Sequence, residues 1–451
     1  MLYKRFLPLM TSWLSKKNKY VVNIYYSTLT DKSLEHQKED IDTTQMKELI
    51  EKIKLSIDQK KMKKKEEMES GKKLSQSKKT LDVINYIKKV NPDIVDVIKL
   101  MTCLPLKKTD TNRLYVIDKN TAIEYVSLIK DDLLKNTCYI AELNPGFGIL
   151  TTELLKANVP LIHLYEGNLI LHEMLKTFCM KYPGKLNLTS VENTNLFGMA
   201  RAYYDHISTE KFQKVFENIK SKNWEDETYM QIICATDNRN LFVFIVYNLI
   251  FRKGFMLHGR PVFYIAILPS VWHKYNCTIS NHRTYTYSKV MFKLMFNCEL
   301  LGSLNRKAFI PWPTRKYNTT GTSRLIKKQD YEHIYVIKLE PKADIYSQLS
   351  QKDWIIFSYF VKYHMRKRST RVIPALEKWA PGCGIKLIAK DYTIYTEFGD
   401  LTPTKILELF KEFKTWPEYK ENDFVTSMNN TLDCICWLAL KYHSHRYIGS
   451  V

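Results

Sequence analysis

The stretch Glu142-Leu143-Asn144-Pro145-Gly146-Phe147-Gly148-Ile149-Leu150-Thr151 joins an apolar run at 137–143 to a run of helical spacing at 149–157. The first reads as a buried strand and the second as a helix. Glycines at such a junction let the backbone turn sharply and approach a ligand closely. One strand further on, residues 161–165 end at Glu166; after a helix at 169–182, the strand at 186–191 ends at Glu192. A helix at 121–134 precedes the first strand, and strands at 230–235 and 261–268 follow, with an apolar helix at 241–251 between them. Alternation of this kind predicts an α/β fold, a parallel sheet flanked by helices. Ligands in such sheets sit beyond the carboxyl ends of the strands, where the Gly-rich turn, Glu166 and Glu192 all fall. Glu166 there suits the hydroxyls of a ribose and Glu192 an adenine amine, which predicts a nucleotide pocket. The alternative is that the glycines only make a tight turn and the acids are solvated strand caps.

The run at 142–151 resembles the first motif of the rRNA adenine dimethyltransferase family. Ala308-Phe309-Ile310-Pro311-Trp312-Pro313 and Tyr335-Val336-Ile337-Lys338-Leu339-Glu340-Pro341 are similar to that family's Phe-x-Pro-x-Pro strand and the strand after it. Met365-Arg366-Lys367-Arg368-Ser369-Thr370-Arg371 resembles the basic helix start of its C-terminal helical domain. The resemblance runs from Arg113 to the C-terminus. It implies a Rossmann-like S-adenosylmethionine (SAM) methyltransferase sheet with a small C-terminal helical domain, and SAM as cofactor in a pocket that has outlived its motif. By the same resemblance Asn144 is the first cofactor-contacting residue of the turn, and Gly146 and Gly148 shape the pocket. Glu166 matches the ribose-binding acid, Glu192 stands where the family has Asp, and Ile117 falls at an upstream apolar contact to the cofactor.

The departure comes at the end of the fourth strand. Methylating members carry Asn-Leu-Pro-Tyr or Asn-Leu-Pro-Phe there, whose amide and carbonyl accept from the target amine and whose ring stacks on the flipped adenine. Here Gln231-Ile232-Ile233-Cys234 runs into Ala235-Thr236-Asp237-Asn238. An amine conjugated to a purine attacks well only when its lone pair is aimed, and positioning of that kind is worth about 7–11 kcal/mol in favourable cases. No catalytic residue is assigned; Asn238 would substitute only after a register shift. A kept fold with a lost fourth motif resembles the mitochondrial transcription factor B branch of the family. That implies an initiation factor that binds the mitochondrial RNA polymerase and promoter DNA, single-stranded at the start site, and assists melting. An rRNA adenine N6,N6-dimethyltransferase using SAM, and an rRNA binder in ribosome assembly, remain as alternatives.

Charge agrees with a phosphate-rich partner. The 451 residues carry a formal net charge of +22, and each neutralised phosphate releases a condensed counterion. Arg366, Lys367, Arg368 and Arg371 form one basic group. Arg315 and Lys316, with Arg306, Lys307, Arg324, Lys327 and Lys328, form another around Trp312 and Tyr317, where rings interleaved with cations suit single-strand binding. Both groups also fit plain solvated surface.

Residues 1–30 are basic, free of acids and amphipathic, as a mitochondrial transit peptide requires, and they predict the mitochondrial matrix and its nucleoid. Residues 31–80 are rich in Lys, Glu, Gln and Ser and predict a flexible basic arm; 81–345 would be the α/β domain and 346–451 the helical domain and tail. The nine cysteines include one close pair, Cys434 and Cys436. His443 and His445 lack acidic or thiol partners in good spacing apart from Cys434 and Cys436, no CxxC pair faces a second one, and no metal is assigned; the thiols read as buried and reduced. The apolar run at 241–251 is too short to cross a bilayer and predicts a buried helix.

Overall fold

A computed structural model describes residues 78–95, 98, 113–136, 138–190, 216, 219–276, 285–313, 328–421 and 424, all within the compact unit Ser77–Val451. The predicted transit peptide and basic arm lie outside them, but for the last residues of the arm, which open helix α1 (Lys78–Val90).

A short strand, β1 (Tyr115–Val116), leads to Asp118, whose carboxylate accepts from Asn120 N and Thr121 Oγ1 and so starts α2 (Lys119–Lys135). Ala122, Tyr125, Val126, Ile129 and Leu133 recur at helical spacing on α2 and are buried, which seats the helix on the sheet. There follow β2 (Tyr139–Leu143), α3 (Ile149–Lys156), β3 (Ile162–Glu166), α4 (Leu169–Met180) and β4 (Leu186–Ser190). After them come β5 (Met230–Ala235), α5 (Leu241–Ile250), β6 (Pro261–Ile267), α6 (Pro269–Tyr275), α7 (Tyr287–Met295) and β7 (Phe296–Asn305). Every residue of β5 and β6 is buried, the mark of central strands covered on both faces.

The main sheet has seven strands in the order β4-β3-β2-β5-β6-β9-β7, where β9 is His333–Pro341. β9 runs antiparallel to both its neighbours, so the sheet is mostly and not wholly parallel. Its direction and the strand β7 depart from the expected pattern. β7 has few buried residues and a register shift between Leu300 and Gly302, so its sequence shows no period-two alternation. At Gly302 the strand passes close to α2: a Cβ there would lie 2.7 Å from Leu128 Cδ1, and that side chain would have to move. A second, two-stranded sheet pairs β1 with β8 (Phe309–Ile310), Tyr115 opposite Ile310.

The chain ends its described part in α8 (Ile345–Gln348), α9 (Gln351–His364), α10 (Val372–Leu376), α11 (Cys383–Ile388), α12 (Pro403–Thr415) and α13 (Pro417–Glu421). Ser350 and Thr402 cap α9 and α12 through their hydroxyls. Phe357 and Phe360 of α9 meet Phe410 and Phe413 of α12 ring to ring, and this helical part rests on α5 and α7. The predicted helix at 372–379 is shorter than expected, ending at Leu376. Among the described residues no helix is long and apolar enough to cross a membrane. α5 is the buried helix the sequence predicted, with seven of its residues inside the core.

Candidate functional site

The turn between β2 and α3 is held in three left-handed residues, Asn144 (φ 55°), Gly146 (φ 63°) and Gly148 (φ 70°). Asn144 N donates to Tyr165 O at 2.9 Å, which ties the turn to the end of β3, and Gly148 caps α3. The space above Gly146 is already filled: a Cβ there would sit 2.5 Å from Tyr115 Cδ1. Tyr115 is 6% exposed and meets Phe147 edge-on.

Glu166 closes β3, as expected, and is completely buried. Its Oε2 accepts from Gly146 N at 3.1 Å and its Oε1 from Asn168 N at 2.8 Å. Arg113 Nη1 lies 4.0 Å from Oε1. Burial raises the Glu166 pKa, and the backbone donors with the Arg113 guanidinium oppose that rise. One strand away, Glu142 is also buried; its carboxylate accepts from Thr151 Oγ1 at 2.7 Å, and burial pushes its pKa up to about 7. Ile117 is buried in the core and its amide donates to Ala308 O at 2.9 Å. Glu192 lies outside the described residues.

Arg113 and Tyr115 belong to a strap, residues 113–117, that crosses the carboxyl edge of the sheet. Arg113 bridges to Thr236, Leu114 N donates to Ala235 O at 3.3 Å, and β1 pairs with β8. A ribose diol reaches a carboxylate only from a side that solvent can also reach, and Glu166 offers none. Among the described residues, the carboxylate that a ribose would need is thus closed off in this arrangement. Sequence reading missed both strap residues as part of the site. The only local signal was a short apolar run ending at the helix-capping Asp118.

At the end of β5, Thr236 N donates to Ala266 O at 2.9 Å and Thr236 Oγ1 accepts from Asn238 N at 3.2 Å. Asn238 is 8% exposed, and its Oδ1 accepts from Asn240 N at 3.0 Å on the way into α5. That amide is engaged in the turn, and no aromatic ring stands between residues 235 and 238. Arg306 is buried nearby in charge terms: Asp237 and Asp330 hold its pKa up against the burial that lowers it to about 10. Its guanidinium donates to Phe309 O at 2.6 Å and Pro311 O at 2.8 Å. Arg306 thus organises the 309–311 strand end and is not available to a nucleic acid, contrary to its place in the second basic group.

Arg315 and Lys316 lie outside the described residues. Trp312 donates its indole N–H to Lys307 O at 3.0 Å and meets Tyr86 edge-on. The first basic group falls in the turn between α9 and α10, but its members differ. Arg366 and Lys367 are exposed. Arg368 packs its stem across Gly399 and approaches Asp400 at 3.5 Å. Arg371 is exposed and stands over the Tyr395 ring at 5.3 Å. Among the described residues no group of His, Cys, Asp and Glu could hold a metal ion; Cys434, Cys436, His443 and His445 lie outside them. A groove lined by Lys293, Glu299, Lys338 and Lys342 opens at the amino edge of the sheet, away from the strand ends discussed above.

No protein-family model matches the chain. Dimethyladenosine transferase 2, mitochondrial, of Drosophila melanogaster is 25% identical over 374 residues, 72% of this chain and 81% of that protein. Among solved structures, a dimethyladenosine transferase from Plasmodium falciparum covers 64% of this chain and 95% of its own, with 12% identity and a TM-score of 0.40. A bifunctional kinase-methyltransferase covers 49% of this chain and 39% of its own, with 8% identity and a TM-score of 0.26. The chain is thus an α/β protein with one reversed strand in a mostly parallel sheet and a Gly-rich turn after β2, and it is similar over 72% of its length to the dimethyladenosine transferase 2 of the fly.

Proposed function

We propose that this chain is a mitochondrial transcription initiation factor, acting as the second paralogue of mitochondrial transcription factor B, that binds opened promoter DNA and the mitochondrial RNA polymerase without methylating nucleic acid. The observation that carries this reading is the end of β5. A methylating site needs an amide and a ring free to receive a flipped adenine. Here the Asn238 amide oxygen is engaged by Asn240 N, Thr236 is bridged by the strap, and no ring is present. A net charge of +22 supports a polyanionic partner. Arg366, Lys367 and Arg371, exposed in one turn, are the described cations best able to neutralise phosphates.

The name of the fly relative supports a mitochondrial location, and the acid-free N-terminal thirty residues would serve as the import signal, leading to the matrix and its nucleoid. The basic segment 31–80 would add a second, sequence-independent grip on nucleic acid, with Arg315 and Lys316 as further contacts. Residues 81–345 would then be the scaffold and 346–451 the helical part that carries the exposed basic turn. The experiment is run-off transcription from a mitochondrial promoter with purified polymerase, with and without the protein. Stimulation of promoter-dependent transcripts is expected. Its absence, or methyl transfer to a small-subunit rRNA hairpin at ordinary enzymatic turnover, refutes the reading.

A further inference from the structure

The strap contributes more than cover. Arg113 sets a largely buried guanidinium, its side chain 10% exposed, beside the fully buried Glu166 carboxylate, and its buried Nε finds no hydrogen-bond partner among the described residues. An arginine buried at such imperfect satisfaction is held there by an opposite charge, and the charge facing it is Glu166. The Glu166 oxygens already accept from Gly146 N and Asn168 N, which orient the carboxylate toward the turn. Above the same turn, Tyr115 occupies the volume over Gly146, where a left-handed glycine would otherwise leave room for a ligand.

We propose that Arg113 and Tyr115 are an internal plug in the nucleoside cleft, the guanidinium taking the place of a ribose diol on Glu166 and the ring covering the Gly-rich turn, so that the protein takes up no adenosyl cofactor. A diol is neutral and donates two hydroxyl protons. To reach Glu166 it must displace a cation whose removal leaves the carboxylate buried without its counter-charge. The strap cannot swing aside freely, because Arg113 is bridged to Thr236, Leu114 N bonds Ala235 O, and Tyr115 is paired with Ile310. Opening the cleft means breaking pairings to two strands. The inference stands apart from the transcription reading, which is tested by transcripts and not by cofactor.

The experiment is equilibrium dialysis of radiolabelled SAM, with calorimetric titration of S-adenosylhomocysteine as a second probe, against full-length protein. Wild type is expected to bind neither at submillimolar concentration. Arg113→Ala and the double change with Tyr115→Ala are expected to gain affinity by about tenfold or more, and adding Glu166→Gln to either should remove the gain. Arg113→Gln keeps a polar side chain at the strap and serves where the alanine variant does not fold. Wild-type binding as tight as that of the variants overturns the proposal. So does a folded Arg113→Gln or Arg113→Ala protein that still binds neither probe, since the plug would then not be what excludes them. Run-off transcription by the same variants reports on the transcription role independently.

Discussion

Replacing Gly146 by alanine tests the packing of the strap directly. At φ 63° an alanine is left-handed, which costs about 1–2 kcal/mol. Its Cβ would also lie 2.5 Å from Tyr115 Cδ1, 3.2 Å from Cγ and 3.4 Å from Cβ. These atoms are the root of the ring and not a flexible tip, and Tyr115 is pinned by its pairing with Ile310. Overpacking of this sort adds about 1–3 kcal/mol, so Gly146→Ala should destabilise by about 2–5 kcal/mol in all. Tyr115→Ala alone creates a cavity worth about 3–5 kcal/mol. In the double variant the ring is gone and only the 3.4 Å contact to the Tyr115 Cβ, an ordinary one, remains. The double variant should therefore be more stable than the sum of the singles by about 1–3 kcal/mol. Equilibrium denaturation of the four proteins measures this. Additivity within about 0.5 kcal/mol would mean that the ring does not press on the turn, and the account of the strap would fall with it.

Glu142 gives a pH dependence. Its carboxyl is raised from 4.5 to about 7 in the folded chain, so between those values the unfolded state has released a proton that the folded state keeps. Stability should fall as pH rises through that window, by about 3 kcal/mol from this group, and Glu142→Gln should flatten the fall when unfolding is followed near pH 5 and near pH 8. Arg306→Ala removes two charge-assisted hydrogen bonds, to the Phe309 and Pro311 carbonyls; at about 1.5–3 kcal/mol each, a loss of about 3–5 kcal/mol is expected in thermal unfolding. Arg366→Ala and Lys367→Ala should each lower the slope of log affinity against log salt by about 0.7 on single-stranded DNA, with the melting temperature unchanged. Arg368→Ala should instead lower the melting temperature, because that side chain fills the space over Gly399.

The strands from β2 to β6 were legible because their apolar runs are bounded by sharp signals. Gly146 and Gly148 mark one boundary, Glu166 another, and the observed ends of β2, β3 and β5 fall within two residues of those read from sequence. β7 was not legible, since it is an irregular edge strand whose exposure follows its bulge and not a period of two. The reversal of β9 could not be read either, because strand direction is set by which neighbours are left to pair. At the site, Glu166 stood where its position after a strand put it. Its partner did not announce itself: Arg113 and Glu166 are far apart in sequence, and only the pairing of the strap with β5 and β8 brings them together. The members of the basic groups could not be told apart in the sequence for a related reason. Arg306, Arg368 and Lys367 look alike as letters, and only burial separates the cation that organises a loop from one that is free to meet a phosphate.

The bridge between Arg113 and Thr236 also bears on how this sequence can change. Placing a proline and a ring at 235–238 would press new side chains against the strap. Moving Asn238 would loosen the entry to α5, and replacing Asp237 would take a neighbouring negative charge from Arg306. Each step harms the fold until the others are made. The segment 235–238, the strap and the entry to α5 can therefore change only together, and single substitutions there meet a packed neighbour on every side.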